Sequence, residues 1–257
     1  MKKSVLLIAL ASAATLGVQA SVITLGNTWS IQSPGDTPPV LSNQSSTGFD
    51  LTAAGNSSSA QRAVYQNGLT GGAFGVGETA IMSFTVTANA APTAENIALS
   101  FSIWDSVNKD GFSGKIDWGT PTTECMRIGY DKAMDYTRIG TDAQGRVTGT
   151  APAGASSTPI TSLGASSDIT LSVTRNALDD YSLTVDWDDV SLTSNITGND
   201  MGSLSAIDAV GIRWNSKNAG AFTVSDLSVE VIPEPATLGL VALMGGALIY
   251  VRRIFVV

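Results

Sequence analysis

Period-two alternation is the feature that most limits what this chain can become. In IALSFSIW, Ile97, Leu99, Phe101 and Ile103 share one face, while Ala98, Ser100, Ser102 and Trp104 share the other. DITLSVTR turns Ile169, Leu171 and Val173 to one side, and YSLTVDW sets Tyr181, Leu183, Val185 and Trp187 against Ser182, Thr184 and Asp186. AVGIRW aligns Val210, Ile212 and Trp214, and DLSVEV aligns Leu227, Val229 and Val231. Phe222 and Val224 run on the opposite parity to Leu227, which predicts a bulge near Ser225–Asp226. Between residues 21 and 232 no stretch carries a helical period. Strands with one polar face make antiparallel sheets, and two such sheets must cover each other's apolar faces. The expected fold is therefore all-β, an antiparallel β-sandwich or jelly roll. Asn176 to Asp180 and Asp188–Asp189 are the predicted turns on either side of the Tyr181–Trp187 strand. Ser42 to Ala60 and Thr148 to Ser167, rich in Ser, Thr, Gly and Ala, read as loops.

The order of the last strands, YSLTVDWDDVSLT, AIDAVGIRW and AFTVSDLSVEV, resembles the end of concanavalin A-like, laminin-G-type jelly rolls. That resemblance rests on pattern and implies a β-sandwich, with no site residue attached.

Composition removes several kinds of chemistry. The 257 residues include no histidine, which excludes Ser-His-Asp and Cys-His catalysis and imidazole metal sites. Cys125 is the sole cysteine, so no intramolecular disulfide or thiolate cluster can form; beside Glu124 it reads as an inert thiol. Of 14 basic residues, Lys2, Lys3, Arg252 and Arg253 lie at the ends. Residues 21–235 oppose all 22 acidic side chains with ten basic ones, a balance of −12 that repels nucleic acid.

The two ends read as addresses. MKKSVLLIALASAATLGVQA has a basic start, an apolar stretch and small residues at Val18 and Ala20, so residues 1–20 read as a signal peptide cut after Ala20. Ala236 to Val251 is a 16-residue apolar run, about 24 Å long as a transmembrane helix. Arg252 and Arg253 stop it on the cytoplasmic side, and Pro233 and Pro235 bound it outside. Pro233-Glu234-Pro235, the span 236–251 and Arg252-Arg253 together resemble the PEP-CTERM sorting signal of Gram-negative bacteria. The resemblance implies recognition by an exosortase-type membrane transpeptidase, processing near the motif, and display at the cell surface alongside exopolysaccharide. The chain departs from that pattern in the IFVV that follows the arginines, which leaves an unprocessed single-span anchor as the alternative.

Candidate chemistry in the body (21–232) is sparse. Asp186 and Asp188, about 7 Å apart if both lie on one strand face, have the spacing of a glycosidase pair, with Asp189 adjacent; Asp188-Asp189 also fits a hairpin turn. Ser106 to Asp117 places oxygen-bearing side chains at positions 1, 3, 5 and 12 of a calcium loop, with Gly111 at position 6. Ser106 and Asp117 stand where that loop needs aspartate and glutamate, and Asn108, Asp110 and Gly111 read more economically as a hairpin turn. Trp104 alone among the strand tryptophans lies off its strand's apolar face, which predicts an exposed indole able to stack on a sugar; Trp187 and Trp214 are expected in the core. The sequence therefore describes a non-enzymatic exported surface or matrix protein that needs no cofactor or metal. It reaches the membrane through its C-terminal helix, with extracellular polysaccharide as a partner. The alternatives are a carbohydrate-binding module using Trp104 and, further off, a carboxylate glycosidase.

Overall fold

The computed structural model describes residues 20–32, 39–53, 60–90, 97–118, 126–131, 147–149, 166–188, 190–197, 204–216 and 220–233. Ser21–Val231 forms one compact unit. Its strands in chain order are β1 (Ser21–Val22), β2 (Ser30–Gln32), β3 (Val40–Ser45), β4 (Gly48–Ala53), β5 (Ala60–Gln66), β6 (Glu78–Ala90), β7 (Ile97–Trp104) and β8 (Gly111–Trp118). There follow β9 (Met126–Asp131), β10 (Val147–Gly149), β11 (Ser166–Ala177), β12 (Asp180–Trp187), β13 (Val190–Thr197), β14 (Ala209–Ser216) and β15 (Gly220–Pro233). No helix occurs among the described residues, and none there is long and apolar enough to cross a membrane.

Two antiparallel sheets face each other. The first runs β13-β12-β11-β6-β15-β4-β3 with β1 beside β15, and the second runs β10-β9-β8-β7-β14-β5-β2. The core between them holds the side chains that the alternation assigned inward: Leu99, Phe101 and Ile103, then Ile169, Leu171 and Val173, then Leu183, Val185, Trp187, Ile212 and Trp214. Gly114 sits opposite Phe101 in the β7–β8 register, and the Phe101 ring occupies the space where a Cβ on Gly114 would stand. An aromatic chain of Trp29, Phe49, Phe222 and Trp214 closes one flank, with ring centroids 4.6–6.5 Å apart.

The predicted bulge is present. Burial on β15 changes parity across Ser225 and Asp226, and Asp226 takes a φ of 54°. It falls where β15 leaves β4, its partner from Gly220 to Val224, and before it meets β1 at Glu230 and Val231. The hairpin turns are also where expected, at Leu178–Asp179 between β11 and β12 and at Asp188, φ 49°, after β12.

The loop expected over residues 42–60 needs correction. β4 and most of β3 lie within it, and Phe49 and Leu51 enter the core. Two apolar residues among Ser, Thr and Gly were enough, because the cross-strand partners β15 and β3 supply the remaining order. Within 148–167, residues 150–165 lie outside the described residues, whereas Thr148–Gly149 and Ser166–Ser167 are strand.

Candidate functional site

The chemistry-bearing side chains gather at one corner, where β7 ends at Trp104, the chain turns through residues 105–110 into β8, and residues 204–208 run past into β14. The turn is organised by one carboxylate. Asp105 is 2% exposed. Its Oδ1 accepts the backbone N–H groups of Val107 (2.9 Å) and Asn108 (2.8 Å), and its Oδ2 accepts Asn108 Nδ2 (2.8 Å) and the Ser205 hydroxyl (3.2 Å). Backbone bonds close the same turn: Asp105 N–H donates to Asp110 O and Lys109 N–H to Asp105 O. Lys109 pays for that closure with a left-handed φ of 59°.

Burial alone would raise the pKa of Asp105. The hydrogen bonds from the Asn108 backbone and side chain, then from Val107 and Ser205, outweigh burial and hold the carboxyl below its ordinary value. A second carboxylate locks the neighbouring segment: Asp208 accepts the Ser106 backbone N–H and hydroxyl, each at 2.6 Å, while its own N–H donates to Trp104 O.

The far side of residues 204–208 is tied to the sandwich by Arg175, a buried guanidinium on β11. Its Nη1 donates to Phe74 O and Leu204 O, both at 2.8 Å, and the group lies 5.7 Å from the Tyr181 ring centroid. Burial pushes the Tyr181 phenol up in pKa, against the pull of Arg175. Leu204 precedes Ser205, so Arg175 and Asp105 hold adjacent residues of one segment.

Trp104 needs a correction in one respect. Its parity is as expected: it stands on the outer face of the seven-stranded sheet, away from the main core, with Ala63, Ala209 and half-buried Tyr65. Its exposure is not, because the indole residue is only 3% exposed. Ser100, Ser102, Ser113 and Arg213 on the same face are buried as well, whereas Lys115 and Tyr65 are half-buried. Gly111, the cross-strand partner of Trp104, has no room for a Cβ, which would lie 2.4 Å from the Trp104 Cβ and 2.7 Å from Ile103 O. Trp104 is thus a packed member of a second, small apolar cluster rather than an open stacking platform. Burial also draws the Arg213 pKa down.

The other predicted groups are dispersed. Residues 105–110 form a hairpin turn, as the more economical reading held, and no group of three potential ligands converges on a metal position among the described residues. Asp186 stands on the outer face of the first sheet opposite Thr170. Asp188 Oδ1 accepts the Asp168 N–H at 2.9 Å and so ties the turn to β11, which leaves the two aspartates in different roles. Asp189 and Cys125 lie outside the described residues. Pro233 is the last residue of β15; Glu234, Pro235, the run 236–251, Arg252, Arg253 and residues 1–19 lie outside the described residues. Sequence reasoning missed Asp105, Asp208 and Arg175, which sit in no motif. The one available signal was Asp105 followed by Asn108 just after a strand, a spacing suited to a side chain that caps its own turn.

No family model matches the sequence, and no curated protein does. Among solved structures the chain is similar to the carbohydrate recognition domain of Emp47p (15% identity, TM-score 0.44, 83% of this chain and 94% of that one). It is also similar to the lectin from Bauhinia forficata in complex with GalNAc (9%, 0.47, 84% and 100%) and to the Ca2+/Man2-bound exoplasmic/lumenal domain of VIP36 (12%, 0.44, 83% and 87%). Sugar recognition is a property of those proteins. No residue of this chain takes a role from the likeness.

Proposed function

We propose that this chain is a non-enzymatic exported protein whose β-sandwich binds extracellular carbohydrate at the 105–110 corner. The observation that carries the reading is the turn's construction: Asp105 is buried and fully engaged, while the tip it holds, Val107 (80% exposed), Asn108 and Lys109, faces outward. A tip fixed in advance loses little freedom on binding, and loops on a rigid sandwich are where recognition groups usually sit. Val107 offers an apolar surface for sugar C–H groups, and Lys109 brings an ammonium suited to hydroxyl and carboxylate oxygens. The same construction disfavours hydrolysis. A glycosidase acid needs a raised pKa, whereas Asp105 is held low with its acceptor positions occupied.

The test uses the purified full-length chain on an array of neutral and acidic polysaccharides. Saturable binding is expected, and Val107→Asp should weaken it at least tenfold without changing the melting temperature. A blank array, or undiminished binding by Val107→Asp, overturns the reading.

Delivery is proposed to use the PEP-CTERM-like tail, motivated by Pro233-Glu234-Pro235, the apolar span and Arg252-Arg253. In a host with an exosortase-type enzyme, surface protein should lack residues 236–257. Pro233→Ala with Pro235→Ala should leave the signal-cleaved precursor in the inner membrane. An intact mass that still includes Arg252 and Arg253 would leave an ordinary anchor instead.

A further inference from the structure

A sheet edge exposes unpaired N–H and C=O groups, and soluble proteins blunt such edges with short strands, bulges, prolines or charges. Among the described residues, three of the four outer edges are treated in that way. β2 and β10 are three residues long, and β3 breaks register between Ser42 and Ser45 with Asn43 at a φ of 49°. β13 is the exception. Its eight residues, VSLTSNIT, contain no charge, proline or glycine, and its register with β12 is unbroken from Val190 to Thr197. Among the described residues no strand pairs with its far side. Ser191, Thr193, Asn195 and Thr197 are exposed, and Val190 and Leu192, which pack against the core, stay half-exposed at the open flank.

We propose that β13 is a self-pairing edge through which two copies of this chain join their eight-stranded sheets antiparallel about a two-fold axis at Thr193. The occupant follows from parity and charge. An antiparallel self-pair keeps apolar positions on the core side only if residue numbers of opposed partners have an even sum, because side chains alternate faces. With the axis at Thr193, Leu192 meets Ser194 of the partner subunit and Val190 meets Ile196 of the partner subunit, so the half-exposed apolar residues become covered. On the outer face, Thr193 already lies 3.1 Å from Thr184, hydroxyl to hydroxyl, and the axis extends that rank into the second copy. A strand without charges meets no repulsion in its own copy, although residues 21–235 of each chain carry a net charge of −12 elsewhere. Among the described residues each chain offers one such edge, so isologous pairing uses it up and closes at two.

The experiment uses the purified full-length chain in detergent. Sedimentation should show a dimer, and Thr193→Lys, which sets two ammonium groups against each other, should raise its Kd at least tenfold while leaving the monomer's melting temperature unchanged. Residues directly opposed on antiparallel strands have Cα atoms about 4.5–5.5 Å apart, within disulfide range. Thr193→Cys should therefore cross-link the dimer under mild oxidation, and Asn195→Cys should not, judged against wild type with its single Cys125. A monomer at all concentrations, or a dimer that survives Thr193→Lys with no Thr193→Cys cross-link, overturns the proposal.

Discussion

The two sheets turn different outer faces away from the core. On the eight-stranded sheet, β6, β11, β12 and β13 present ranks of hydroxyl and amide side chains that bond across strands: Thr79 with Thr174, Ser83 with Thr170, Thr87 with Ser166, Thr184 with Thr193, and Ser182 with Asn195. These residues are exposed or half-buried. On the seven-stranded sheet, the corresponding positions of β7 and β8 are Ser100, Ser102 and Ser113, and all are buried beside Trp104 and Arg213. Small polar residues at alternate positions occur on both. One face satisfies its hydroxyls laterally and meets water, and the other buries its small polar residues around Trp104. Alternation reports which side of a strand faces the core and says nothing about whether the opposite side is wet.

The largest expected effect tests that difference directly. Trp104→Ala removes a buried indole from the covered face and should destabilise the protein by about 3–5 kcal/mol, as large core truncations do. Thr184→Ala on the wet face should stay within about 0.5 kcal/mol. Chemical denaturation of both variants reads the contrast, and a Trp104→Ala variant as stable as Thr184→Ala would mean that the seven-stranded sheet is open after all.

Most of the sandwich was legible because its inner faces are written in aliphatic and aromatic residues at period two. Trp187 and Trp214 share parity with such residues and are buried with them. The bulge at Asp226 was legible for the same reason, as a break in that parity. The hairpin of β3 and β4 was not, because Phe49 and Leu51 alone cannot define a period among Ser, Thr and Gly; its order comes from β15, which is distant in sequence. The burial of Trp104 failed on similar grounds. Its neighbours on that face, Ser100, Ser102, Ala63 and Ala209, suit water and packing equally, so tertiary context decides. The corner was half legible: the turn could be read, whereas the pairing of Asp105 with Ser205 spans 100 residues and leaves no local trace.

A smaller effect should separate carboxylates at the two faces. Asp105→Ala leaves the N–H groups of Val107 and Asn108 without their buried acceptor and should cost about 2–3 kcal/mol. Asp168→Ala, at an exposed position of the wet face, removes the bond from the Thr85 hydroxyl (2.7 Å) and should cost less than about 1 kcal/mol. The pH dependence gives an independent reading. The folded pKa of Asp105 lies below its ordinary 3.8, so its stabilisation is complete above that value and fades as pH falls through the folded pKa. Asp105→Ala should therefore lose part of the wild type's acid-side decline in stability below about pH 4. An unchanged acid limb would remove Asp105 as the turn's organiser.

The smallest effect differs in sign between the faces. Ser102 is 0% exposed, and its hydroxyl has no hydrogen-bond partner among the described residues. A buried hydroxyl left without a partner forfeits its hydration, so Ser102→Ala removes that penalty together with only a small volume of packing. The expected result is no loss of stability, or a gain of up to about 1 kcal/mol. Ser83, on the wet face, shares a 3.1 Å bond with Thr170 across β6 and β11, and water can replace that bond when the hydroxyl is lost. Ser83→Ala should therefore cost a few tenths of a kcal/mol, roughly the lower limit of a solvent-exposed hydrogen bond. Matched denaturation curves at one pH, analysed as a difference between the two variants, resolve the sign better than either absolute value. A Ser102→Ala loss exceeding that of Ser83→Ala would show that the Ser102 hydroxyl is bonded, and that the covered face satisfies its polar groups as fully as the wet one does.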